Sequence, residues 1–185
     1  MDSLCGLTNM LDSLFRRGNP TNNWTRDAKL AIAVELLWPC TINSVTVGSH
    51  IEELSFLGRS SSKQKSPLDF YEIGLSVDHE DDGSFSGFQT VFEDSSNTFG
   101  AFCGSLLIDG AVVECARLAD TLGVPYWIDR DEEEQILFFE YANHEIQIEQ
   151  TLNGINKRLI LTTQPLMASP EQRQAYRVDK PWPPK

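Results

Sequence analysis

The residues best suited to chemistry in this chain are carboxylates, and they come in two runs. Asp78-His79-Glu80-Asp81-Asp82-Gly83 opens like a calcium-binding loop, with carboxylates at positions 1, 3 and 5 and glycine at 6. Position 12 is Gln89, where a bidentate glutamate is needed, and both flanks alternate like strands. We therefore read the run as a charged hairpin tip. Asp129-Arg130-Asp131-Glu132-Glu133-Glu134 offers five carboxylates. Neighbours in one loop rarely converge on one ion, so this run also reads as a solvated loop. The three histidines, His50, His79 and His144, include no pair at zinc-binding helical spacing. Cys5, Cys40, Cys103 and Cys115 show no paired metal spacing. A Cys103 or Cys115 nucleophile with a histidine base stays open, without a local signature. Gly83-Ser84-Phe85-Ser86-Gly87 imitates a serine-hydrolase elbow, but Phe85 stands where the nucleophile belongs. There is no Walker loop and no dinucleotide fingerprint. We expect no catalytic residue, no cofactor and no metal, and we keep a small enzyme or ligand-binding protein without a visible motif as the alternative.

The charge is unevenly spread. The chain of 185 residues carries a net charge of −12. Residues 69–149 hold nineteen acidic and two basic side chains, Arg117 and Arg130, while the flanks are slightly basic. Such a field repels phosphate backbones and anionic lipid and attracts basic proteins. Nucleic acid is disfavoured as a partner. No apolar run reaches the length of a membrane-spanning helix. The first residues lack a charged n-region followed by an apolar one, so we expect a cytoplasmic protein with reduced thiols.

The elements that must position these residues follow from periodicity. Leu4, Leu7, Leu11, Leu14 and Phe15 have helical spacing. Residues 29–38 alternate as a strand, with helix as the runner-up. Ser49 suits an N-cap with Glu52 completing a capping box, Ile51, Leu54 and Leu57 share a face, and Gly58 ends the helix. Residues 70–78 and 84–92 alternate around Asp82-Gly83, a hairpin signal. Residues 106–110 lead to a second helix over 111–122, with Val112, Cys115 or Ala116, Ala119 and Leu122 as its stripe and Gly123 as its stop. Phe138 to Glu140 and Ile146 to Ile148 alternate again, and Asn153-Gly154 turns the chain into Leu159-Ile160-Leu161. Ser169-Pro170-Glu171-Gln172 starts a short helix, and Pro181-Trp182-Pro183-Pro184 reads as an extended tail.

The order repeats. Leu57-Gly58 aligns on Leu122-Gly123, Phe70 lies near Phe138, and Gly83 falls on Gly154. We expect an α+β fold of two tandem units, each a helix packed on an antiparallel β-sheet, plus an N-terminal helix and a short C-terminal helix and tail. The boundaries are 1–27, 28–98, 99–163 and 164–185. Leu54, Leu57, Leu75, Val77, Leu122, Ile146, Ile148 and Leu159 form the expected core. The pattern Gly48-Ser49-x-x-Glu52-x-Leu54-x-x-Leu57-Gly58, followed by an extended run, resembles the repeat of the β-lactamase-inhibitor-protein-like fold. That resemblance implies a non-enzymatic binding protein whose sheet grips a partner.

Together these features suggest an acidic intracellular inhibitor or immunity-type protein for a basic protein partner. The partner-binding candidates are Asp78, Glu80, Asp81 and Asp82 at one tip, and Asp129, Asp131, Glu132, Glu133 and Glu134 at the other. Side-by-side repeats would bring both tips onto one rim.

Overall fold

Strand periodicity dominates the chain. A computed structural model describes residues 19–179, which contain twelve strands. In chain order these are β1 (Ala33–Glu35), β2 (Thr41–Ile42), β3 (Val45–Thr46), β4 (Leu68–Phe70), β5 (Leu75–His79), β6 (Phe85–Val91), β7 (Ser105–Ile108), β8 (Ala111–Val113), β9 (Trp127–Arg130), β10 (Glu134–Glu140), β11 (Glu145–Thr151) and β12 (Asn156–Thr162). They form a five-stranded sheet, β3-β2-β1-β7-β8, and a seven-stranded antiparallel sheet, β4-β5-β6-β12-β11-β10-β9. The described α-helices are short, α1 (Leu118–Leu122) and α2 (Pro170–Ala175).

The expected α+β fold of helix-on-sheet repeats is therefore corrected to a mostly-β fold of two sheets. Two local competitions explain the difference. Val112 and Val113 are β-branched, and they pair with Leu107 and Leu106 as β8 rather than opening a helix. Only a 3-10 turn at Cys115–Arg117 and α1 remain of the expected helix. Its apolar stripe is also corrected: Leu118 is fully buried, Leu122 is half-buried and Val112 is exposed. The other expected helix, Ile51–Leu57, is a 3-10 helix. Its cap is His50, whose ring accepts the Glu52 N–H, instead of Ser49. The Ser49 hydroxyl meets the Thr46 hydroxyl at 3.1 Å, and its carbonyl accepts the Phe85 N–H. The N-terminal helix and the Pro181-Trp182 tail lie outside the described residues.

Residues 29–38 contribute β1, which pairs with β2 on one side and with β7 in parallel on the other. Gly58 and Gly123 end their helical turns with φ +82° and +93°, and Gly83 and Gly154 sit in hairpin turns at +84° and +81°. Those positive values are what glycine permits without a Cβ clash.

The inward face of the large sheet supplies Leu75, Val77, Phe88, Ile146, Ile148, Leu159 and Leu161. They join Val34, Leu36, Ile42, Ile51, Leu54 and Leu57 in one apolar cluster. That cluster crosses residue 98, where the repeat reading placed a boundary. Phe138 and Met167 are buried outside it. They lie on the opposite face of the sheet, where residues 164–178 return over β10 and β11.

Candidate functional site

The pairing register decides where the carboxylates stand. Asp78 lies opposite Gly87, Gly87 opposite Thr162, Thr162 opposite Glu145, and Glu145 opposite Glu140. Asp129 lies in another row, opposite Ile136, then Glu149, Arg158 and Val91. The β5–β6 turn is thus at one end of the large sheet and the β9–β10 turn at the other. Glu140 lies six positions along β10 from Glu134, roughly 20 Å of strand. That exceeds the roughly 8 Å screening length at physiological salt. The two tips do not share a rim.

At the β5–β6 end the carboxylates serve the turn. Asp82 accepts the Ser84 N–H at 2.9 Å and its hydroxyl at 2.5 Å, and these bonds hold its pKa below the usual range. Glu80 accepts from the Gln164 amide at 2.9 Å. The His79 ring bridges the Glu80 and Lys65 carbonyls at 2.9 and 2.6 Å. Asp78 is half-buried, and burial, then the charge of Asp69, pushes its pKa up. Asp81 is exposed.

At the β9–β10 end Asp131 accepts the N–H groups of Glu133 and Glu134 at 2.8 and 2.9 Å, the same bonds that lower its pKa. This closes the turn and turns its neighbours outward. Asp129, Asp131, Glu132 and Glu133 are all exposed. Glu134 instead bonds Lys157 at 2.9 Å, and that bond raises the lysine pKa. Arg158 lies 3.5 Å from Glu149. Beside these pairs a cleft of about 280 Å³ is lined by Glu93, Asp94, Glu134, Glu149, Lys157 and Arg158. Asp94 accepts the N–H groups of Phe99, Ser96 and Thr98 and the Ser96 hydroxyl, and its pKa falls to about 2. It therefore stays ionised across the neutral range. Lys157 and Arg158 are both paired within the chain, so the exposed charge here is mainly negative, with Arg130 the cation at the end of β9.

Two of the residues with catalytic side chains, Cys40 and His144, are placed for structure. Cys40 is fully buried and burial pushes its thiol up to about 12. His144 is buried, its Nε2 lies 3.0 Å from the Leu36 carbonyl, and desolvation lowers its pKa. Its ring stacks on Tyr141 at 4.7 Å. Cys103 is exposed, and Cys115 meets an amide, Asn156 Nδ2, at 3.8 Å. No group of three or more His, Cys, Asp or Glu among the described residues is arranged to hold an ion.

A buried polar clamp escaped the sequence reading. Arg173 on α2 forms an ion pair with Glu140 on β10, the two side chains being 3% and 4% exposed. Arg173 Nε also donates to the Met167 carbonyl at 3.0 Å, and the guanidinium lies 5.2 Å over the Tyr126 ring. Glu145, fully buried, accepts from the Tyr126 hydroxyl at 2.5 Å, the Gln147 amide at 2.7 Å and the Leu166 N–H at 3.2 Å. Burial and that bond raise the Tyr126 pKa. Phe138 was the available signal: a large aromatic on the polar-alternating face of β10 needs a cover.

Compared with known proteins, the chain matches no family model, no curated protein and no solved structure. No helix among the described residues is long and apolar enough to cross a membrane.

Proposed function

We propose that this chain is a non-enzymatic protein-binding module, an acidic inhibitor or immunity-type protein that captures a basic protein partner. One observation carries the reading. The β9–β10 turn presents Asp129, Asp131, Glu132 and Glu133 outward together, while Lys157 and Arg158 beside it are occupied by Glu134 and Glu149. A surface of one sign speeds encounter with an oppositely charged partner and discourages phosphate backbones. The edge strand β9 adjoins the turn and exposes Ile128, which gives an apolar contact beside the acidic one. The register puts Asp78, Glu80, Asp81 and Asp82 at the far end of the sheet, so the docking surface is the β9–β10 end. This reading rests on charge and exposure, and the resemblance to the tandem inhibitor fold is not needed for it.

The test is affinity capture from the native host, identification of the partner, and association kinetics across ionic strength. Asp131→Asn with Glu132→Gln and Glu133→Gln should lower the association rate more than it raises the dissociation rate. Asp81→Asn should leave both unchanged. Binding indifferent to salt and to the triple change would overturn the proposal.

A further inference from the structure

At some distance in sequence from the acidic turn, the chain gathers positive charge around a cleft. Arg26 and Arg59 face a space of about 230 Å³ whose floor is Leu57, Phe70 and Ile73, all buried, with Ser61 and one carboxylate, Glu72, in its wall. We propose that this cleft is a binding site for a small oxyanion, the carboxylate or phosphate group of a small ligand. The proposal is independent of the protein-binding reading.

The backbone fixes the two arginines next to one another. Asp27 N–H donates to the Phe56 carbonyl at 3.0 Å, which ties residues 26–27 to the last turn of the 3-10 helix Ile51–Leu57. Gly58 then packs directly on Arg26. A Cβ at Gly58 would lie 2.6 Å from Arg26 Cβ and 2.9 Å from its nitrogen, so only glycine admits this approach. Arg59 follows immediately, and the two guanidinium stems leave from adjoining backbone.

The donors are available. Arg59 makes no ion pair or hydrogen bond with any described residue. Its planar fork suits bidentate recognition of an oxyanion. Among the described residues Arg26 has one partner, Glu72, at 3.3 Å, with the two side chains 45% and 87% exposed. A pair so exposed is weak and screened, and a ligand oxyanion can replace it. Glu72 occupies the guanidinium as the chain's own carboxylate. The Ser61 hydroxyl accepts the Tyr71 N–H at 3.3 Å, which leaves its proton to donate into the cleft. The cleft is smaller than the pockets that hold drug-sized ligands.

The probes are inorganic phosphate and acetate, titrated into the full chain at constant ionic strength set with sodium chloride. Backbone amide shifts of Arg26, Arg59, Ser61 and Glu72 report binding. Saturable millimolar binding of at least one probe is expected, and the stronger of the two tells phosphate from carboxylate. Arg59→Gln should weaken binding about tenfold, the effect of losing one charge-assisted contact. Glu72→Gln should tighten it by releasing Arg26. Arg59 is exposed, so Arg59→Gln is the decisive variant, with circular dichroism as its folding control. Arg117→Gln, outside the cleft, should change nothing. Shifts no larger than sodium chloride gives, or equal binding by Arg59→Gln, would overturn the proposal.

Discussion

Replacing Arg173 with methionine tests how the C-terminal segment is held. The guanidinium and the Glu140 carboxylate are almost wholly buried together, and Arg173 also reaches the Met167 carbonyl. Arg173→Met keeps the aliphatic stem and leaves Glu140 as a buried charge without its partner. Breaking a buried pair from one side costs about 3–5 kcal/mol. Removing both charges, Arg173→Met with Glu140→Leu, should cost less than the single change, because no carboxylate is then stranded. Urea unfolding followed by circular dichroism measures both. Tryptophan fluorescence adds a local probe, since Trp127 meets Tyr176 edge-on at 5.5 Å and lies tilted against Phe138 at 4.5 Å. In Arg173→Met the fluorescence transition should precede the loss of sheet signal, as α2 lifts from β10 and β9. A cost below about 1 kcal/mol, or a double variant no more stable than the single, would refute the buried-charge argument.

Leu118→Ala should cost about 2–5 kcal/mol, and Leu122→Ala clearly less, because the first is fully buried and the second half-exposed; equal urea midpoints would contradict this. Gly58→Ala should destabilise more than Gly154→Ala. Both have positive φ, but an added Cβ meets Arg26 at 2.6 Å at Gly58 and nothing within 4 Å at Gly154. Thermal melts of the two variants decide it. Burial holds the folded-state pKa of His144 below the usual histidine value of 6.5, so the unfolded chain binds the proton more readily. Its contribution to stability is fully present above 6.5 and is lost as pH falls from there through the folded pKa. His144→Gln should flatten the urea midpoint between pH 7 and 5, and an unchanged pH profile would show that His144 protonates freely in the folded state.

Local signals in the sequence were enough for four strands of the large sheet and the turns that join them. Period-two alternation marks β5, β6, β11 and β12, and Asp82-Gly83 and Asn153-Gly154 mark the turns that join them. Ser169 and Pro170 carry the start of α2, where the serine accepts the Gln172 N–H. Leu54, Leu57, Leu75, Val77, Ile146, Ile148 and Leu159 are buried, since a residue's place in its own period assigns its face. The sum and clustering of charge are also properties of the chain alone. Tertiary structure decided everything that depends on which segments meet. β1 becomes an inner strand only because β7, far along the chain, comes to lie beside it in parallel. The two acidic turns lie at opposite ends of one sheet because β6 pairs with β12, 65 or more residues along the chain. Glu140 meets Arg173 across 33 positions, and His144 meets Leu36 across 108. Alternation tells a strand which face is apolar, but any strand of like pattern satisfies its backbone equally. The choice of neighbour, and with it the grouping of surface charge, is made only when the whole set of faces is buried at once.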